Sequence, residues 1–328
     1  MGERRVAVIT GGSAGVGRAT VNSFAQADFD VAVLARGEAG LTAASNEIEG
    51  LGAKALAIPV DMGDCDQVQG AAERVEESLG PIDVWVNNAM TTVFAPSWDV
   101  EPDEFRRALE VTFLGQVWGT RAALSRMRPR NKGTIVNVGS ALSFVAIPLQ
   151  SPYCAAKFAC RGFTESVRAE LVHERSRIRI VMVHLPAVNT PQFGWCRTVF
   201  DRHPQPVPPI YQPELPARRI LRAALSPRSD RIVGSWNGAL VIMARLFPRF
   251  ANQYAALSAW DGQLTDLPTD PNRPANIFSP RDENVDAGAH GIFDSRAHGV
   301  MDREFLRSLP KTARTFLQAL GRTTRADL

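Results

Sequence analysis

Thr10-Gly11-Gly12-Ser13-Ala14-Gly15-Val16-Gly17 follows directly on the apolar run 6–10 and opens a stretch of helical periodicity. Glycines at 11, 15 and 17 permit a tight turn, a close approach of backbone to a ligand, and close packing of the helix on its strand. The start of the helix adds free N–H groups and the positive end of the helix dipole. Gly11, Ser13, Gly15, Val16 and Gly17 together therefore read as a cradle for a phosphate or pyrophosphate. Glycines alone are a weak signal; strand before and helix after make this one strong.

The same alternation continues on both sides of the turn. Apolar runs of strand length lie at 6–10, 31–35, 55–58, 84–87, 134–138 and 178–184, with a seventh short run at 231–233. Helical stretches at 15–27, 38–51, 64–79, 102–127 and 152–174 separate them. Strands alternating with helices predict right-handed crossovers and a parallel sheet covered on both faces. The fold class is α/β, a single doubly wound domain with about seven parallel strands. Composition shifts after residue 187: residues 187–216 are rich in Pro, Gln and aromatics and read as a long substrate lid. A helical stretch follows at 236–260, then a Pro-, Asp-, Asn- and Gly-rich arm at 265–297 and an amphipathic helix at 302–320. The chain thus divides into a nucleotide-binding and catalytic domain at 1–234 and a C-terminal helix and arm at 235–328.

Charge excludes some functions. Over 328 residues the net charge is only +3, which gives no reason to expect a nucleic-acid or anionic-membrane partner. The longest apolar run, 232–244, is interrupted by Asn237 and is shorter than the ~20 residues of a membrane span. A buried element is the expectation there, with peripheral membrane contact through 236–249 the alternative. Cys65, Cys154, Cys160 and Cys196 show no paired or metal-ligand spacing, and the five histidines are scattered, so no metal site is expected. A strand begins almost at once with no apolar leader, and a reduced, cytoplasmic setting is the expectation.

The second strand run ends Val33-Leu34-Ala35-Arg36. A carboxylate near this position ordinarily holds an adenosine ribose 2′-OH. Ala35 cannot, whereas the planar fork of Arg36 suits a 2′-phosphate, with Arg18 placed to assist. NADP(H) is therefore expected over NAD(H); Glu38 is the carboxylate that argues for NAD(H).

With these residues in hand, the sequence resembles the short-chain dehydrogenase/reductase family, from residue 5 to about 234. The ordered motifs are the glycine turn, Asp61-Met62, Asn87-Asn88-Ala89, Ser140, Tyr153-x-x-x-Lys157 and Pro186-Ala187-Val188-Asn189-Thr190. The resemblance implies a Rossmann-type fold in which Asp61 and Met62 touch the adenine. Asn88 and Ala89 then line the cofactor side of the fourth strand. Thr190 bonds the nicotinamide carboxamide, with Pro186 and Val188 beside it. It implies as well that Lys157 bonds the nicotinamide ribose and that Ser140 holds the substrate oxygen. Members usually form dimers or tetramers, here through the helices carrying Phe113 and Tyr153.

The chemistry also follows from the residues. Tyr153 and Lys157 are four apart on a predicted helix and share one face. A neighbouring ammonium lowers a phenol pKa from ~10 towards working pH, which suits Tyr153 as general acid for ketone reduction and base for alcohol oxidation. Ser140 would stabilise charge developing on the substrate oxygen. The expectation is an NADP(H)-dependent oxidoreductase acting on a bulky apolar alcohol or ketone, with Phe144, Val145, Ile147 and the lid aromatics against the substrate. Two departures from the family point to the alternative, an NADP(H)-binding sensor or scaffold with little turnover. Met90 stands where glycine is usual, and Thr112 where an asparagine supports a proton relay near Lys157.

Overall fold

In the computed structural model, residues 4–227, 230–234 and 259–298 are described, together with scattered positions between 238 and 257. The sequence element 302–320 lies outside the described residues, as does more than half of 236–260 and of the proposed membrane-contact stretch 236–249. The strands are β1 (Arg5–Thr10), β2 (Phe29–Ala35), β3 (Ala55–Pro59), β4 (Ile82–Asn87), β5 (Thr134–Ser140), β6 (Arg179–Leu185) and β7 (Arg231–Ile232). They form one sheet in the order β3-β2-β1-β4-β5-β6-β7, and every pairing is parallel. The helices are α1 (Gly15–Ala25), α2 (Glu38–Gly50), α3 (Cys65–Leu79), α4 (Pro102–Leu109), α5 (Gly115–Met127), α6 (Ser151–His173) and α7 (Glu214–Leu225).

Strands buried on both faces read as continuous apolar runs, and β2 is buried along all seven residues. Residues of alternating direction feed two cores. Phe24, Phe29, Val31 and Val33 belong to one, and Val8, Leu34, Ile82, Trp85 and Ile135 to the other. Phe24 and Phe29 meet edge to face at 5.0 Å. Each such ring is worth roughly 2–3 kcal/mol of burial. The order reverses between β1 and β4, where the chain leaves the sheet in opposite directions and a crevice opens at the carboxyl ends of the strands.

A buried polar network fixes the crevice floor. The Trp85 indole donates to Asn87 Oδ1 at 2.7 Å, and Asn87 Nδ2 donates to Thr120 and to Asn137 Oδ1 at 3.0 and 2.8 Å. Asn137 Nδ2 donates in turn to Thr164 at 2.8 Å, tying β4, β5, α5 and α6 together. Every member is satisfied, so the network sets the strand register without an unpaired group.

The helix predicted as continuous over 102–127 is interrupted. Glu110–Leu114 forms a wider π-turn between α4 and α5. At its centre the buried Thr112 hydroxyl donates to the Thr91 carbonyl at 2.9 Å and accepts from the Thr91 N–H at 3.0 Å. Periodicity cannot register one extra residue in a helix, and such insertions recur at functional sites.

Candidate active site

A cavity of about 820 Å³ runs along the crevice, within the range of small-molecule sites. Most of the residues read from the sequence as site residues line it, and Arg18 and Phe144 do not. Gly11, Ser13, Gly15, Val16 and Gly17 form one wall. Arg36, Asp61 and Met62 close one end, and Asn88 and Ala89 lie across from the turn. Ser140, Tyr153 and Lys157 stand towards the other end with Pro186, Val188 and Thr190.

The glycine turn is shaped for a ligand's backbone approach. Gly15 has φ +58° and lies so close to Thr190 that a side chain there would press on its methyl group. A Cβ on Gly17 would collide with the Gly11 carbonyl oxygen and the Asn88 amide. Asn88 is a buttress for this turn. Its Nδ2 donates to the Thr10 and Gly11 carbonyls at 3.0 and 3.2 Å, and the N–H groups of Asn88 and Ala89 both donate to Thr10 Oγ1. The glycines let the backbone of the turn pack this closely, and the turn, with the first turn of α1 on the cavity wall, fits a dinucleotide pyrophosphate.

At the far end of β5, Ser140 caps the turn Ala141–Ser143, its Oγ accepting from the Leu142 N–H at 3.1 Å. The Ser140 hydroxyl is within hydrogen-bonding reach of the Tyr153 phenol. Burial pushes the phenol above its ordinary value, with Ser140 pulling the other way. The lowering by Lys157 expected from their spacing is not found. Lys157, 3% exposed, donates from Nζ to the Val138 carbonyl at 2.7 Å, and Nζ lies 5.6 Å from the Tyr153 ring centroid. One of its three N–H donors goes to that carbonyl, and burial pulls its own pKa down. Tyr153 accordingly keeps its proton at neutral pH.

Other expectations are corrected by side-chain partners. Arg18 does not reach the cleft. It is 1% exposed, with Nε and Nη2 on the Glu47 carboxylate at 2.9 Å each and Nη1 on the Ser13 and Gly40 carbonyls and Asp286. It staples α1, α2 and the C-terminal arm, which leaves no fork for a phosphate. The Thr112 hydroxyl gives its one proton to the Thr91 carbonyl, so it donates to no water beside Lys157. Phe144 turns away from the cavity, packing edge-on to His184 at 4.6 Å and under Arg161. Val145, Ile147, Phe193, Trp195, Val207 and Ile210 give the cavity an apolar lining, to which Met90 adds. Burial pushes the Cys154 thiol up, in keeping with packing rather than reactivity.

Two features are not legible in the sequence. The first is where the arm at 265–297 docks. The Arg36 guanidinium donates to the carbonyls of Asn276, Ile277 and Phe278, and Arg107, paired with Asp61, donates to Ile277 at 3.2 Å. The Gly15 N–H donates to the Gly288 carbonyl at 3.0 Å. Asn189 bonds Asp294 and the Phe293 N–H, and Ala297–His298 pairs with the short strand Ile210–Tyr211. The arm therefore spans the cavity mouth from end to end.

The second is His184, which pairs in register with Gly139, the neighbour of Ser140. It is 1% exposed, its Nδ1 is 3.3 Å from the Ser140 carbonyl, and its Nε2 has no partner among the described residues. Burial holds its pKa down at about 4, and it is neutral at pH 7. The unfolded chain takes a proton near 6.5 and the folded chain only near 4, so stability falls as pH drops through that window. The expected loss is on the order of 3 kcal/mol. In His184→Gln, denaturant melts at pH 7 and pH 4.5 should differ by less than in wild type; an equal difference would assign the acid sensitivity elsewhere.

Comparison with known proteins agrees with this geometry. Residues 5–196 match the family model described as short chain dehydrogenase. The chain is 32% identical over 276 residues to the uncharacterized oxidoreductase YxnA of Bacillus subtilis, covering 84% of this chain and 78% of that one. That match necessarily takes in part of the C-terminal segment beyond residue 234. The putative oxidoreductase SadH of Mycobacterium tuberculosis is 30% identical over 255 residues, 74% of this chain and 91% of its own. In fold, the chain is similar to an alcohol dehydrogenase from Thermococcus sibiricus, solved in complex with 5-hydroxy-NADP. The TM-score is 0.61 at 24% identity, over 70% of this chain and 95% of that one. With a matched model over more than half its length and the glycine turn, Ser140, Tyr153 and Lys157 on one cavity, the chain belongs to the short-chain dehydrogenase/reductase family of oxidoreductases.

Proposed function

We propose that the protein interconverts a secondary alcohol and a ketone on a bulky apolar substrate, with NADP(H) as the dinucleotide and Tyr153 as the group that moves the proton. The observation that carries this reading is Ser140, Tyr153 and Lys157 on one cavity wall, continuous with a glycine turn on the other side. The bound dinucleotide would supply or accept the hydride. Ser140 would hold the carbonyl oxygen, and Tyr153, protonated at neutral pH, would deliver its proton to that oxygen as charge develops. Lys157 would stand beside both, held by the Val138 carbonyl. In this reading Asp61 and Met62 meet the adenine, and Pro186, Val188 and Thr190 meet the nicotinamide end. The apolar wall of Val145, Ile147, Phe193 and Trp195 would exclude water and set the preference for a greasy substrate.

NADP(H) is proposed over NAD(H) because β2 ends in Ala35 and the next residue, Arg36, lines the cavity. Arg36→Ala is expected to weaken NADPH about tenfold more than NADH, measured by fluorescence titration. Equal weakening of both would reject the preference. The Thr112 hydroxyl, committed to Thr91, favours a second reading, a dinucleotide-binding sensor with slow turnover. NADPH binding with no oxidation across a wide carbonyl panel would select it.

Residues 1–234 are proposed as the catalytic unit, 187–216 as its substrate lid, and 235–328 as a C-terminal segment. A homodimer or homotetramer through the helical segment 102–127 that holds Phe113 and through α6, which holds Tyr153, is proposed as well, supported by the exposed Phe158 and Val172 on α6. The four free cysteines suit the proposed cytoplasmic setting. No helix among the described residues is long and apolar enough to cross a membrane.

A further inference from the structure

The carboxylate that β2 lacks at its end comes to the same place from the arm. The turn Ala35-Arg36-Gly37 leads into α2, and the arm folds back onto it. The Asp282 carbonyl accepts the Gly40 N–H at 3.1 Å and the Glu283 carbonyl accepts that of Ala39 at 3.1 Å. These bonds seat the Asp282 side chain against bare glycine. A Cβ on Gly37 or on Gly40 would collide with its carboxylate, and a Cβ on Gly40 would also press on Ser13. Asp282 thus sits between the glycine turn and the end of β2, the place where a dinucleotide fold reads the adenosine ribose. It is 6% exposed, it lines the cavity, and its carboxylate has no hydrogen-bond partner among the described residues.

We propose that Asp282 is a specificity-determining residue for the dinucleotide, accepting a hydrogen bond from a free ribose 2′-OH and opposing a 2′-phosphate against the attraction of Arg36. This rests on the dinucleotide reading of the cavity. The two charges act in opposite directions on one ligand position. Arg36 alone would favour the phosphate, and Asp282 alone the diol. Arg281, exposed on the same rim, adds a second cation to the phosphate side. Discrimination built from a repulsive group beside an attractive one is a general device.

The test uses the full chain and four probes, NADP+, NAD+, adenosine 2′,5′-bisphosphate and 5′-AMP, titrated by calorimetry so that no turnover is needed. In Asp282→Asn the affinity ratio of NADP+ to NAD+ should rise about tenfold, and the ratio of the two adenosine fragments should rise with it. Asp282→Glu should fall back towards the wild-type ratio. If Asp282 only latched the arm, its loss would weaken all four probes together, and a ratio unchanged within about twofold would overturn the proposal. Asp282→Ser, smaller and uncharged, must give the same rise and serves if the asparagine variant does not fold. If no form of the protein binds NADP+ or NAD+, the dinucleotide reading fails and this inference with it. Binding with an unmoved ratio sinks the inference alone.

Discussion

Phenylalanine at position 153 is expected to lower carbonyl reduction about a thousandfold while leaving dinucleotide affinity and melting temperature close to wild type. The change removes one oxygen and nothing else. The ring that Lys157 stands beside at 5.6 Å is kept, as is the apolar wall of the cavity. What goes is the proton that burial retains on the phenol at neutral pH and the contact it makes with Ser140. Loss of a positioned general acid falls on kcat, because the group is needed in the transition state and contributes little to ground-state binding. Steady-state rates with a reactive ketone, set beside NADPH titration of the same samples, separate the two. A variant within about tenfold of wild type in kcat would mean that another group gives the proton.

Alanine at Gly17 should cost the protein its dinucleotide. The added methyl would meet the Gly11 carbonyl oxygen and the Asn88 amide, and neither is the free end of a flexible chain. Asn88 is pinned to the Thr10 and Gly11 carbonyls, so the turn and the end of β4 must move together. The first-turn N–H groups of α1 then lose their aim. Two charge-assisted hydrogen bonds to a pyrophosphate, at roughly 1.5 kcal/mol each, correspond to a loss of affinity of about a hundredfold. Titration with NADPH and NADH checks this, and both should weaken together because the pyrophosphate is common to them. Unchanged affinity for either would mean that the turn is not the phosphate site.

The difference between what could be read in the sequence and what could not follows from the kind of interaction involved. β1 to β6 were legible because parallel strands covered on both faces must be apolar at consecutive positions, as in Val31-Ala32-Val33-Leu34. The glycine turn and the Tyr153–Lys157 pair were legible because their chemistry needs fixed spacing within a few residues of chain. Interactions between side chains and distant backbone carry no such period. Arg36 meeting the carbonyls of Asn276 to Phe278 joins residues some 240 positions apart, and any residue type could have supplied those carbonyls. Arg18 was read as a phosphate ligand from its place near the glycines. Glu47, one turn short of the end of α2, and Asp286 in the arm claim it instead. In the sequence His184 is one scattered histidine; strand register sets it opposite Gly139, next to Ser140. The hydroxyl of Thr112 was available on paper, but the π-turn directs it at Thr91.

The arm changes how the site works as a whole. It reaches Arg36 and α2 at one end, the first turn of α1 in the middle, and Asn189 and the lid strand Ile210–Tyr211 at the other. Phe293 packs edge-on to Phe193, so the arm also braces the apolar substrate wall. A ligand as long as a dinucleotide would run beneath it.

Isotope transfer shows whether this cavity passes a hydride between a nicotinamide dinucleotide and a bulky apolar ketone. Purified protein is given NADPH carrying deuterium at the transferable nicotinamide position and a panel of hydrophobic ketones, and the products are analysed by mass spectrometry. The expected result is an alcohol with one deuterium on the carbinol carbon, formed by wild type and lost in Tyr153→Phe. Binding of NADPH with no labelled alcohol from any ketone of the panel would contradict it.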